Sequence, residues 1–130
     1  MAGAMKHSRQ RDAILNMLHS RCDHPTAEQL YTDLKDDFPR LSLGTVYRNL
    51  ALLERLGEVI KISADGHCDR FDGTVGAHYH FACECCGSVD DVPIPVELKL
   101  EDEAQRALGA RIKRHSTVFF GICKKCLKKS

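Results

Sequence analysis

Apolar side chains recur at helical spacing through the first sixty or so residues and turn to strand spacing beyond them. Ile14, Leu15 and Leu18 mark one face of a first helix over residues 6–20. Ala27, Leu30, Tyr31, Leu34 and Phe38 follow at i, i+3, i+4, i+7 and i+11, a second helix opened by His24-Pro25-Thr26 and stopped by Pro39. Ser42 is a good N-cap for a third helix, which buries Leu43, Val46, Leu50 and Leu53 and ends near Gly57. Residues 58–63, an Asp65-Gly66 turn and residues 67–72 spell the two strands of a hairpin. Three helices followed by a hairpin make a winged helix-turn-helix.

Gly73-Thr74-Val75-Gly76 reads as a hinge, which divides the chain into a winged-helix unit at 1–73, a linker at 74–77 and a second unit at 78–130. The second unit begins with a strand through His78 and His80, whose period of two puts both imidazoles on one face. A strand over 88–92 follows, then a break at Pro93 and Pro95. A helix over 97–108 should turn Leu100, Ala104, Ala107 and Leu108 inward, and 111–122 alternates enough for one long strand ending on Val118, Phe119, Phe120 and Ile122. The overall expectation is an α+β fold.

Composition bounds this picture. A chain of 130 residues, 43% hydrophobic and 28% charged, can bury a core as one unit or as two very small ones stapled by a metal. No apolar run approaches the roughly 18 residues of a membrane span and no signal-peptide pattern opens the chain, so a cytoplasmic protein without a membrane partner is expected. The net charge of +1 conceals segregation: residues 1–63 carry 9 basic and 8 acidic side chains, 64–110 carry 3 and 10, and 111–130 carry 7 and none. The acidic middle also holds His67, His78 and His80, and suits cations.

The chemistry concentrates between His78 and Asp91. Four of the seven cysteines form two C-x-x-C pairs, Cys83 with Cys86 and Cys123 with Cys126, and four thiolates give the tetrahedral coordination of a structural zinc. Gly87 permits the tight turn that aims backbone amides at sulfur. Cys22, Cys68 and Cys85 are then free thiols. A lone H-x-H on a strand is more often packing than a ligand pair, but Asp91 and its neighbour Asp90 add the oxygen that suits Fe(II), Mn(II) or Zn. Asp72, ending the wing, and His24, heading the second helix, are further candidates. If all five converge, a metal ties the two units together across the hinge.

Lys6, Arg9 and Arg11 oppose the dipole of the first helix, for which an external phosphate is the better reason. Thr45, Tyr47, Arg48 and Asn49 line the outer face of the third helix, side chains of the kind that read base edges and phosphates. No small-molecule substrate or enzymatic activity is expected. A zinc hydrolase or deaminase lacks its H-E-x-x-H or H-x-E…P-C-x-x-C signature, and a zinc-stapled thiol oxidoreductase, the remote alternative, needs a low-pKa cysteine at a helix start whereas Cys83 follows a strand.

With these residues in view, the chain resembles the ferric uptake regulator family of bacterial metal-dependent repressors from about Ser8 to Lys129. The motifs are Gln10-Arg11-Asp12-Ala13-Ile14-Leu15, His24-Pro25-Thr26-Ala27-Glu28, Thr45-Val46-Tyr47-Arg48-Asn49-Leu50, Arg70-Phe71-Asp72, His78-Tyr79-His80-Phe81-Ala82-Cys83 and Phe120-Gly121-Ile122-Cys123. The resemblance implies an N-terminal winged helix and a C-terminal α/β dimerisation domain, homodimers on palindromic double-stranded DNA operators, structural zinc on Cys83, Cys86, Cys123 and Cys126, and a regulatory site of His24, Asp72, His78, His80 and Asp91. Aspartate at 72 and 91 together with His-Pro-Thr-Ala at 24–27 looks most like the peroxide-sensing (PerR) branch, in which Fe(II) reacts with hydrogen peroxide and histidine ligands are oxidised, here His24 and His78. A repressor sensing iron, manganese or zinc sufficiency, released by metal loss, would share every ligand. The chain departs from the family pattern in Ser8-Arg9-Gln10-Arg11, where Thr-Pro-Gln-Arg is usual, in Gly44, and in the doubled Asp90-Asp91.

Overall fold

The computed structural model describes residues 8–74, 76 and 78–129. Lys6, at the start of the expected first helix, and Val75 and Ala77, in the expected hinge, lie outside the described residues.

Three helices lead: α1 (Arg9–His19), α2 (Ala27–Leu34) and α3 (Leu43–Arg55). Each begins on a hydroxyl cap. Ser8 Oγ accepts from the Arg11 amide, Ser42 Oγ accepts from the Thr45 amide, and Thr26 and Gln29 form a reciprocal capping box. The second helix stops at Leu34, short of the expected Phe38. Asp36 and Asp37 would place negative charge against the negative end of the helix dipole, and the chain instead closes in turns through which Phe38 still packs on the core. Ile14, Leu18, Leu30, Val46, Leu50 and Leu53 are almost wholly buried and hold the three helices together.

The wing is shorter than its alternation suggests, β1 (Ile60–Ile62) pairing antiparallel with β2 (Arg70–Asp72). Phe71 points into the helical core, so by the two-residue period Arg70 and Asp72 share the opposite face. Ile62 and Ala64 of the hairpin bury instead against Ala82 and Val89 of a second sheet. The wing is therefore packed on both cores.

That second sheet has the order β4-β3-β5, from β3 (Tyr79–Cys83), β4 (Val89–Val92) and β5 (Val118–Gly121). β4 runs antiparallel to β3 and β5 parallel to it, which requires the crossover supplied by α4 (Lys99–Leu108). A short α5 (Lys124–Lys129), not anticipated from the sequence, closes the described chain. Two expectations fail here. Only 118–121 of the expected 111–122 strand pairs, because β3 offers a partner only from His80 to Cys83 and the Arg111-Lys113-Arg114 stretch has none. The expected inward face of α4 is not covered by this chain: the helix buries no residue, and Leu100 and Leu108 are 49% and 71% exposed. No helix among the described residues is long and apolar enough to cross a membrane.

Candidate metal centres

At the end of β3 the chain turns immediately. The Gly87 amide donates to the Cys83 carbonyl at 2.9 Å, with Gly87 at φ 77°, a conformation only glycine adopts at no cost. The turn returns Cys86 to Cys83, and the amides of Cys86 and Cys123 each reach Cys83 Sγ at 3.4 Å. β5 delivers Cys123 alongside β3, and α5 carries Cys126 back to the same point. Cys83 and Cys126 sulfurs are 3.9 Å apart, Cys86 and Cys123 sulfurs 3.8 Å, and all four lie within 4.8 Å of one another. Zn–S bonds of about 2.3 Å in a tetrahedron require S···S edges of about 3.8 Å. Donor type and spacing both fit zinc.

The electrostatics agree. The amides of Cys86 and Cys123 bring the Cys83 thiol down to about 6 despite its burial. Ser88 lowers Cys86, while Cys126, facing Cys123 and Cys85 in a buried position, is pushed up. Cys83 is wholly inaccessible, an environment that suits a metal ligand better than an attacking thiol. Cys85 is exposed and stands outside the four, as do the exposed Cys22 and Cys68.

A second cluster forms where the helices, the wing and the sheet meet. Asp72 Oδ2 lies 2.8 Å from His80 Nε2, 3.0 Å from His78 Nε2 and 3.4 Å from His24 Nε2. Asp91 Oδ1 reaches the same three nitrogens at 3.4, 3.1 and 3.0 Å. His80 and Asp91 are directly paired across β3 and β4, which puts Asp91 in the cluster and sends Asp90, opposite Phe81, to the other face. Nitrogen and oxygen atoms about 3 Å apart are what ligands some 2.0–2.2 Å from one shared ion present to each other. His24, Asp72 and His80 are at most 5% exposed, whereas Asp91 is exposed and His78 half-buried, so the cluster is open on one side.

His24 enters this cluster at a cost. Its φ of 51° is left-handed, rare for a residue bearing a Cβ and outside the extended conformation that a following proline favours. Its Nδ1 is buried with no hydrogen-bond partner among the described residues. A geometry so costly persists only where the surroundings enforce it.

Charge balance in the cluster predicts a pH dependence. Burial opposes ionisation of His24, but hydrogen bonds and charge from Asp72 and Asp91 prevail and raise its pKa; His78 is raised likewise, with the Gly76 carbonyl contributing. Burial would raise Asp72, yet His24, His80, the Thr74 amide and His78 together drive it well below the carboxylate range. The raised imidazoles stabilise the metal-free fold below about pH 6.5, and that contribution fades as pH climbs through their folded pKa values. Protons therefore compete with a metal beyond the range of a free imidazole. Mn(II) affinity should rise steeply from about pH 6 to 8 with release of protons, counted by calorimetry in buffers of different ionisation heat; flat affinity contradicts this coupling.

The expected nucleic-acid face is on α3. Tyr47 and Arg48 are exposed, Tyr47 donating to Glu28 at 3.0 Å and Arg48 reaching Thr45 Oγ1 at 3.0 Å. Asn49 is half-buried and donates back to the Thr45 carbonyl of its own helix. Arg11 lies half-buried in the first turns of α1, where it has a partner in the chain.

The model of the ferric uptake regulator family matches residues 2–120. The chain belongs to that family. This family member is 37% identical to the peroxide-responsive repressor PerR of Staphylococcus aureus over 120 residues, 92% of this chain and 81% of the relative. Its structure is similar to that of the Campylobacter jejuni peroxide stress regulator, with a TM-score of 0.75 and 29% identity over 90% of this chain and 88% of the other. It is also similar to the Vibrio cholerae ferric uptake regulator, with a TM-score of 0.71 and 30% identity over 92% and 93%. The winged helix followed by a small α/β unit is thus the family architecture.

Proposed function

We propose that the chain is a metal-dependent transcriptional repressor that binds a palindromic operator as a homodimer and releases it when hydrogen peroxide oxidises its regulatory site. The observation that carries this reading is the convergence of His24, Asp72, His78, His80 and Asp91. They come from the α1–α2 loop, the wing, β3 with the residue before it, and β4, so one ion bound there joins the helical unit to the sheet unit. In this reading residues 1–73 bind DNA, 74–77 form the hinge, 78–130 form the dimerisation unit, and the protein works in the cytoplasm.

Zinc would occupy the four sulfurs as a closed staple, and Fe(II) or Mn(II) the nitrogen and oxygen set. A ferrous ion supplies one-electron reduction of hydrogen peroxide, which a manganous ion does not. The chain holds the rings of His24 and His78 against the site and leaves it open beside Asp91. In the net step one imidazole carbon exchanges its C–H for a bond to oxygen, giving up two electrons, while the other peroxide oxygen leaves as water. An oxidised ring no longer ligates, and the tie between the units is lost. Asp72, Asp91 and the likeness to two peroxide regulators support this over a sufficiency sensor.

Dimerisation is supported by what the single chain leaves bare: Leu100 and Leu108 on α4, and Phe119, Phe120 and Ile122 on and beyond the unpaired edge of β5. A second copy of the same surface would cover them. The double substitution Leu100→Asp and Leu108→Asp should give a folded monomer with zinc still bound, read by sedimentation; an unchanged dimer moves the interface elsewhere.

The test of the reading as a whole is retention of a duplex selected from a random-sequence pool. Mn(II) should raise affinity and a chelator too weak to strip zinc should abolish it. Arg48→Ala should weaken binding about tenfold at matched salt. Equal retention with and without Mn(II) would contradict metal control, and an unchanged Arg48→Ala would remove α3 from the groove.

A further inference from the structure

Arg70 sits at the junction of three elements yet belongs to none of the sites described so far. From β2, its Nε donates to the Gly87 carbonyl at 2.9 Å and its Nη1 to the His24 carbonyl at 3.1 Å. Gly87 is the buried glycine of the turn that holds Cys83 and Cys86. His24 is the cluster residue with the left-handed backbone. One planar guanidinium thus spans from the cysteine turn to the backbone of a regulatory-site residue.

The surrounding backbone reinforces the same connection. Arg70 pairs with Thr26 as an isolated bridge, and the next amide, that of Phe71, donates to the Pro25 carbonyl at 3.0 Å. β2 therefore grips residues 24–26 from one side by backbone and side chain together. The same strand face presents Asp72 to three imidazoles. The wing also touches the cysteine turn independently: His67 Nε2 is 2.8 Å from the Glu84 carbonyl, and a Cβ on Gly87 would stand 2.5 Å from His67 Nδ1.

We propose that Arg70 is a positioning residue for the regulatory metal: by joining the Gly87 carbonyl of the zinc turn to the His24 carbonyl, it holds the strained His24 where its Nε2 can ligate. The proposal rests on the reading of His24 as a ligand. It makes the zinc turn part of the regulatory machinery, because the fixed end of the strut is the turn that zinc shapes. Lysine cannot replace arginine here, since a single ammonium on a flexible stem has no fork to span two carbonyls.

The test compares the full-length, zinc-loaded chain with Arg70→Lys and His67→Ala. Arg70→Lys should keep one zinc per chain and bind Mn(II) about tenfold more weakly. After Fe(II) and a brief peroxide pulse its share of added oxygen should move from His24 toward His78, which a general loss of stability would not produce. His67→Ala, which breaks the other contact to the turn without touching His24, should stay within about twofold of the wild type. Equal Mn(II) affinity in Arg70→Lys and the wild type overturns the role of Arg70, as does an equal loss in both variants, which would assign the effect to wing docking. A wild type that binds no Mn(II) overturns the reading of the site and the strut with it. Should Arg70→Lys fail to fold, the wild type with zinc in both sites decides: the Arg70 Nε–H resonance should exchange slowly, and rapid exchange overturns the proposal.

Discussion

Serine in place of Cys123 should cost the protein its zinc and most of its fold. The Cys123 sulfur stands 3.8 Å from that of Cys86 and completes the set of four. Structural zinc contributes roughly 10–16 kcal/mol of apparent binding free energy in small domains, against a total stability of roughly 5–15 kcal/mol. Even a fraction of that loss exceeds what the sheet can absorb. β5 is an edge strand paired only with β3 among the described strands, and its exposed Phe119 and Phe120 show how little of its own surface it buries. Metal analysis should find no stoichiometric zinc, and the melting temperature should fall by roughly 15 °C or more at about 3–5 °C per kcal/mol. A stable variant that still dimerises would contradict the staple.

Asp72→Ala should have the opposite signature, with zinc retained and regulatory metal lost. The Asp72 carboxylate is 5% exposed and one oxygen faces three imidazoles within 3.4 Å, leaving only the exposed Asp91 carboxylate on those nitrogens once it is removed. Mutation of a group that merely orients a ligand costs 10–100-fold in metal affinity, so removal of this one should cost at least about 100-fold. His78→Ala should behave alike. Mn(II) titration and zinc content read on one sample decide the matter: zinc lost together with Mn(II) binding would contradict two metal sites with separate ligands.

Much of this arrangement was legible in the chain because it rests on local rules. The cap at Ser42, the wing turn at Asp65-Gly66 and the two C-x-x-C pairs are short-range patterns whose physics is complete within a few residues. The pairing of His78 with His80 followed from strand period alone. The family resemblance extended this to His24 and Asp72, which lie 54 and 6 residues from His78 and which no local rule brings to it.

What was not legible depended on partners. The apolar stripe of α4 was read as a buried face, but a stripe does not say what covers it, and in this chain the helix buries no residue and leaves Leu100 and Leu108 exposed. The strand expected over 111–122 ignored the length of its neighbour, which ends the pairing at Gly121. Asp90 and Asp91 were equivalent in sequence, and only the register of β4 against β3 separates them. Arg70 stood in the Arg70-Phe71-Asp72 motif, but no local rule gave it a role of its own. Its meaning lies in two carbonyls 46 and 17 residues away.

As a peroxide-sensing metal site, the nitrogen and oxygen cluster should control DNA binding in an iron-dependent way. Anaerobic operator binding with Fe(II) and, separately, with Mn(II), before and after a brief peroxide pulse, with peptide masses read from the same samples, tests it most directly. Only the iron form should release DNA and gain oxygen on the peptides holding His24 or His78. Both forms keeping DNA through the pulse, and losing it only to a chelator, would contradict peroxide sensing and make the protein a metal-sufficiency repressor.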